Sequence, residues 1–133
     1  MPHVQGALRK RRPHIEIILH SSKSKRKRRL VADTGGGSDE APFELVLTER
    51  DCLQSDGLLD GEVSLRGAFD GWFNVYAVKV RIPRLGFSNT VKIVGVPIVP
   101  KNFDGIASFR FLNRFHYGNF GDRDSFGLES VAR

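Results

Sequence analysis

The stretch Leu30-Val31-Ala32-Asp33-Thr34-Gly35 sets an apolar run directly against an acid, a hydroxyl and a glycine. A strand leaving a protein interior ends on such residues when it simply turns at the surface, so Asp33 has an ordinary reading as a loop former. The sharper reading is chemical. Val31 and Ala32 would carry the Asp33 carboxylate to a half-buried position where it can serve as a general acid or base, Thr34 offers a hydroxyl to brace it, and Gly35 lets another backbone come close. Gly36 follows with no hydroxyl to offer the outer carboxylate oxygen.

Other residues with chemical potential are less well placed. Cys52, the only cysteine, stands in Asp51-Cys52-Leu53 with no activating base nearby. His3, His14, His20 and His116 show neither H-x-x-x-H spacing nor paired cysteines, so no metal site is expected, and no G-x-S-x-G elbow supports a Ser-His-Asp triad. Gly35-Gly36-Gly37 follows a strand as a phosphate cradle would, but no G-x-x-x-x-G-K-[ST] pattern accompanies it, and Asp39 and Glu40 would repel phosphate. No cofactor is expected. Lys23 to Arg29 carries six positive charges within seven residues. Such a run can neutralise phosphates, although no aromatic residue is interleaved for base stacking and no nucleic-acid-binding motif accompanies it.

Positioning Asp33 falls to a chain of 133 residues, one domain long, with 40% hydrophobic content. Fourteen Gly and six Pro among short runs of Val, Ile and Phe favour an all-β fold with frequent turns. The charge is uneven: residues 1–30 hold ten Lys or Arg against Glu16 alone, giving +9, and the remainder hold eleven against fourteen acids, giving −3, for the net +6. Residues 1–13 read as a basic N-terminal arm. His14 to His20 alternates as a strand, Ser21 to Arg29 reads as an exposed hairpin loop too charged to bury, and Leu30 to Ala32 forms the return strand that delivers Asp33. Phe43 to Leu47 reads as a strand and Thr48 to Leu53 as a short helical turn capped by Thr48; Gln54 to Gly61 is rich in turn residues. Strands over Glu62–Arg66 and Trp72–Ile82 flank Gly67-Ala68-Phe69-Asp70-Gly71, a glycine-hinged hairpin tip. Thr90 to Val99 reads as a strand interrupted at Pro97, and Ile106 to Phe115 as the one good helix, with Phe111, Leu112 and Phe115 on one face. Tyr117–Phe120 and Ser125–Leu128 read as short closing strands around Gly121 to Asp124. No apolar stretch approaches the roughly 18 residues that span a bilayer, the first residues lack the apolar core of a secretory signal, and the lone cysteine fits a reducing compartment, so a cytoplasmic protein is expected.

This order resembles the retropepsin-like aspartic proteases, the single-lobe family that includes retroviral proteases and their cellular relatives. The resemblance covers roughly residues 14 to 129. It rests on Leu30-Val31-Ala32-Asp33-Thr34-Gly35, on the strand Phe43-Glu44-Leu45-Val46-Leu47 after the active-site turn, and on Gly105-Ile106-Ala107-Ser108-Phe109-Arg110-Phe111-Leu112-Asn113-Arg114-Phe115, similar to the family's apolar segment and short helix before its closing strand. Ser108 stands where the family prefers Gly, and Phe109-Arg110 replaces its usual Arg followed by an acid or amide.

The resemblance implies a closed acid-protease barrel over residues 14–133 with one short C-terminal helix and one lobe per chain. It implies an aspartic endopeptidase with Asp33 as catalytic residue, Thr34, Gly35 and Gly36 as support of the active-site loop, and a flap formed by Gly67, Ala68, Phe69, Asp70, Gly71 and Trp72. Peptide hydrolysis by this route needs two carboxylates sharing one proton, and the chain has a single Asp-[Thr/Ser]-Gly. A homodimer is therefore expected, each copy supplying its own Asp33 to a peptide substrate. Without a Gly36 hydroxyl to favour the charged carboxylate, activity is expected in weakly acidic to near-neutral solution. Two other readings stand beside this one: a catalytically silent binding module on the same fold, and a nucleic-acid-binding protein acting through residues 23–29.

Overall fold

The computed structural model describes residues 1–131. Ten strands dominate: β1 His3–Ala7, β2 His14–His20, β3 Lys25–Ala32, β4 Leu45–Thr48, β5 Leu58–Leu65, β6 Gly71–Ile82, β7 Phe87–Val96, β8 Gly105–Ala107, β9 Phe115–Gly118 and β10 Ser125–Ser130. Two short helices, α1 Glu49–Gln54 and α2 Phe109–Leu112, interrupt them. The last two positions of the domain expected over 14–133 lie outside the described residues. No helix is long and apolar enough to cross a membrane among the described residues.

Six strands close a barrel in the order β2-β3-β8-β4-β7-β6, with β6 returning to β2 through Ile18 opposite Arg81 and Leu19 opposite Val80. β5 extends outward from β6. Most neighbours are antiparallel, but β3 runs parallel to β8 and β4 parallel to β7, so β8 lies between the strand that ends at Ala32 and the strand that follows the Asp33 turn. That slot is narrow. A Cβ on Gly105 would fall well inside contact distance of the Val46 carbonyl oxygen, so only glycine lets β8 enter between its neighbours.

Period-two alternation sorts the strands. Leu30, Ala32, Leu45, Leu47, Val78, Val80, Ile93 and Ala107 face the interior, where Phe111, Leu112 and Leu128 complete the main core. The opposite face of the same strands carries a second apolar cluster of Val46, Val75, Val94 and Val96. β1, β10 and β9 form a separate antiparallel sheet whose Phe126 and Leu128 join the main core.

Four expectations change. The basic arm over 1–13 is an ordered part of the fold: His3–Ala7 pairs with β10, and Arg9 to Arg12 close a tight turn with Lys10 and Arg11 in the left-handed region. The charged loop expected over Ser21–Arg29 is mostly strand, because β3 begins at Lys25. Its alternation is hidden in the sequence by charge on both faces. Arg28 turns toward α1 and grips Asp51 through Nε and Nη2, both at 2.8 Å, while Lys25 and Lys27 reach water. The turn-rich stretch before Gly61 already belongs to β5 from Leu58. The helix expected over Ile106–Phe115 shrinks to Phe109–Leu112, because Gly105–Ala107 is claimed by β3 and β4 and Phe115 opens β9. The Thr48 cap of α1 is observed, its Oγ1 accepting from the Asp51 amide at 3.1 Å.

Candidate active site

β3 ends at Ala32, and Asp33 is the first residue beyond the barrel rim. Four backbone amides set the turn. Asp33 N–H donates to the Ala107 carbonyl at 2.9 Å, tying the turn to β8, and Gly36 N–H donates to the Asp33 carbonyl at 3.1 Å, closing it. Gly35 N–H donates to Asp33 Oδ1 at 3.1 Å, and Phe109 N–H, at the start of α2, donates to the Gly36 carbonyl at 3.0 Å. Gly36 sits so close beneath the carboxylate that a Cβ there would lie 2.9 Å from Asp33 Oδ2.

The brace expected from Thr34 is therefore supplied by the Gly35 amide; Thr34 makes no side-chain hydrogen bond among the described residues. Asp33, Thr34 and Gly35 are exposed and Gly36 is half-buried, so the half-buried carboxylate expected at Asp33 is instead open to solvent. The physical reason is position: Val31 and Ala32, at 5% and 6% exposure, are the last residues the sheet covers. Asp33 enters no ion pair among the described residues.

Behind the turn the electrostatics reverse. Glu44 is buried, its Oε1 accepting from Arg114 Nη2 at 2.8 Å and Nε at 3.0 Å, with Arg110 Nε at 3.7 Å. Its Oε2 is buried without a partner. Ser108 donates to the Glu44 carbonyl through its amide at 2.9 Å and its hydroxyl at 2.6 Å, and Arg110 Nη1 donates to the Ala41 carbonyl at 2.6 Å. The segment leaving Gly36 is thus fastened to α2 at Ala41 and Glu44. Ser108, at 2% exposure, tightens this packing, and the ion pair is built from Glu44 with Arg110 and Arg114. Sequence reasoning passed over Glu44 as part of a strand. Its signal was a lone acid inside an apolar run, with two arginines four residues apart downstream to meet it.

The second apolar cluster connects the turn to the hairpin. Ile106, one residue before the Ala107 that holds Asp33, packs against Val46, Val75, Val94 and Val96, and so do Phe43, Val63, Leu65, Val99 and Phe69 from the hairpin tip. β5 and β6 pair as far as Leu65 opposite Gly71, and the tip residues Gly67, Ala68 and Asp70 are exposed. Gly67 and Gly71 bound the tip with φ of 102° and 124°, a conformation that favours glycine. Of the two aromatic residues in the expected flap, Phe69 lies on the apolar face and Trp72 points to solvent at 71% exposure.

No group of three or more His, Cys, Asp or Glu is placed to hold a metal among the described residues. Cys52 is fully buried, and burial pushes its thiol up to about 12, so it is no nucleophile near neutrality. Two clefts, of about 440 Å³ between β1, β2 and β10 and about 540 Å³ beside Phe87 and Phe115, lie away from Asp33. The Asp33 turn occupies an open rim. No protein-family model matches this chain, and no curated protein matches it.

Proposed function

We propose that the chain is one half of a homodimeric aspartic endopeptidase, of the retropepsin-like kind its sequence resembles. The observation that carries this reading is the Asp33 turn itself: an uncompensated carboxylate that accepts from the Gly35 amide, in a turn set by four backbone amides at the end of a barrel strand, beside an apolar face that continues to a glycine-bounded hairpin tip. One carboxylate on an open rim has no second acid and no opposing wall. A second copy related by a twofold axis supplies both, bringing the two Asp33 side chains together.

In that dyad the two carboxylates share one proton. The ionised Asp33 takes a proton from a water molecule as the water attacks the peptide carbonyl, and the neutral Asp33 donates its proton to the carbonyl oxygen. The half-buried Ile106 and Phe69, at the edge of the apolar cluster, receive substrate side chains, and the hairpin tip closes over the bound peptide and excludes water.

The test combines Asp33→Asn with a cleavage assay on a peptide library and measurement of the mass in solution. The reading expects a parent that dimerises and cleaves, and an equally dimeric variant that does not. Undiminished cleavage by the variant ends the proposal.

A further inference from the structure

The outer face of the barrel at β3, β2 and β6 gathers basic residues from β3 and β6 on either side of β2, whose outward residues are His14, Glu16, Ile18 and His20. Along β3, Lys25, Lys27 and Arg29 project outward, about 6.8 Å apart at two strand rises each. Barrel closure adds charges from far along the chain. Ile18 on β2 is opposite Lys27 on one side and Arg81 on the other, so two strand spacings place Lys27 and Arg81 about 9.6 Å apart, with Lys79 one step along the same face. At the far end the surface continues into the turn Arg9 to Arg12. The Arg12 guanidinium lies 5.9 Å over the Phe103 ring, which packs against His14, and His14 lies diagonally beside Arg29 on the sheet.

The turn is built at a conformational cost. Lys10 and Arg11 adopt φ of 54° and 62°, where glycine and asparagine are preferred, and they place two cations at an exposed tip. In the same corner His14 Nδ1 and Arg29 Nε are buried without partners. Burial and the neighbouring Arg29 and Arg9 hold the His14 imidazole below its ordinary value, partly offset by Glu16, as expected where positive charge is crowded. Acidic relief is sparse. Glu16 reaches Lys27 at 3.6 Å, Asp104 Oδ2 accepts the Arg29 amide at 2.8 Å, and Asp56 accepts the Ser22 amide at 2.9 Å at the opposite end.

From this surface we infer that the β3–β2–β6 face and the Arg9–Arg12 turn bind the phosphate backbone of double-stranded nucleic acid, as charge and without reading sequence. Three features select this partner. The one large exposed hydrophobic residue on these strands, Trp72, lies at the hairpin end of β6 opposite Ser64 of β5, seven residues and about 24 Å of strand from Lys79, so the basic part of the face lacks the apolar anchor of a membrane-binding surface. Around Lys27, Lys79 and Arg81 it also lacks an aromatic centre on which a protein interface would be built, and Phe103 under Arg12 is buried at 7% exposure and unable to stack bases. What it does offer is rows of cations, which suffice for counterion release from a duplex. Arg28 takes no part, because its guanidinium is committed to Asp51.

The experiment measures binding of the full chain to a labelled DNA duplex by fluorescence anisotropy across a salt series, beside vesicles of anionic phospholipid. With five or more phosphate contacts at about 0.9 each, the logarithm of the affinity should fall against the logarithm of salt with a slope of about −4 or steeper. Lys27→Gln/Lys79→Gln should weaken binding about tenfold at about 100 mM salt and flatten the slope by about 2, whereas Lys27→Arg/Lys79→Arg should retain both. Arg50→Gln/Arg123→Gln, which removes two exposed charges elsewhere, should change neither. The inference is overturned if the parent leaves the duplex unbound, if the two Gln pairs behave alike, or if vesicles bind while the duplex does not.

Discussion

Asp33 and Glu44 stand at either end of the same segment and are treated in opposite ways. Glu44 is buried and its charge is met by Arg114 at 2.8 Å and by Arg110 nearby; Asp51 is handled likewise by Arg28, whose own value is raised by that hydrogen bond against the opposing effect of burial. Asp33 is exposed, receives an amide from Gly35 and meets no cation among the described residues. The buried carboxylates Glu44 and Asp51 are neutralised by arginine, whereas Asp33 stands uncompensated in a turn set by four backbone amides. A buried acid needs a counter-charge to pack, and the proton exchange proposed for Asp33 needs a carboxylate whose charge is not already paired with an arginine.

The contrast breaks most visibly at Asp33. Under the proposed endopeptidase reading, Asp33→Asn should lower cleavage by about a thousandfold or more yet shift unfolding stability by less than about 0.5 kcal/mol, because nothing in the fold leans on its charge. A large stability loss would place Asp33 among the structural acids.

Glu44→Gln should do the reverse. It leaves the partly exposed Arg114 and Arg110 without their counter-charge beside a buried amide, and a loss of about 2 kcal/mol in denaturant unfolding is expected, less than for a fully buried pair. Asp51→Asn should cost about 1 kcal/mol by the same logic, and a stability equal to the parent for both variants would show the arginine clamps to be idle.

Gly36→Ser sharpens the comparison at smaller scale. Its Cβ must displace the Asp33 carboxylate, since it would lie 2.9 Å from Oδ2 and 3.1 Å from Cγ. Cleavage should drop about tenfold with stability held within about 1 kcal/mol, since the carboxylate is free to move aside. A pH–rate profile superimposable on the parent's in height and position would show that the turn tolerates the extra atoms.

The smallest effect belongs to His14. Its folded-state value lies below 6.5 through burial and the nearby Arg29, so the unfolded chain binds the proton more readily, and this part of the stability is lost as the pH falls from about 6.5 through the depressed value. His14→Gln should flatten the loss of stability on acidification. Equal slopes for variant and parent between about pH 7 and 5 would remove His14 as a contributor.

Much of the fold is legible in local pattern. The apolar run ending at Asp33, the Thr48 cap, the hairpin from about 62 to 82 and the turn glycines at Gly67 and Gly71 are signals carried by a few neighbouring residues, because alternation, capping and left-handed turns are short-range requirements. The sequence by itself also determined that the chain has one cysteine and a single Asp-Thr-Gly, and that its basic charge is concentrated before residue 31. Only the tertiary structure decided that Lys25–Arg29 is a strand, since a run charged on both faces has no visible period until one face finds Asp51 and the other finds water. The same is true of Glu44, whose burial depends on Arg110 and Arg114 arriving from another element, and of Gly105–Ala107, whose helical-looking surroundings yield to the two strands that flank it. Lys79 and Arg81 join Lys27 for the same reason: barrel closure brings β6 to β2, and contacts between residues more than fifty positions apart are set by how the sheet closes.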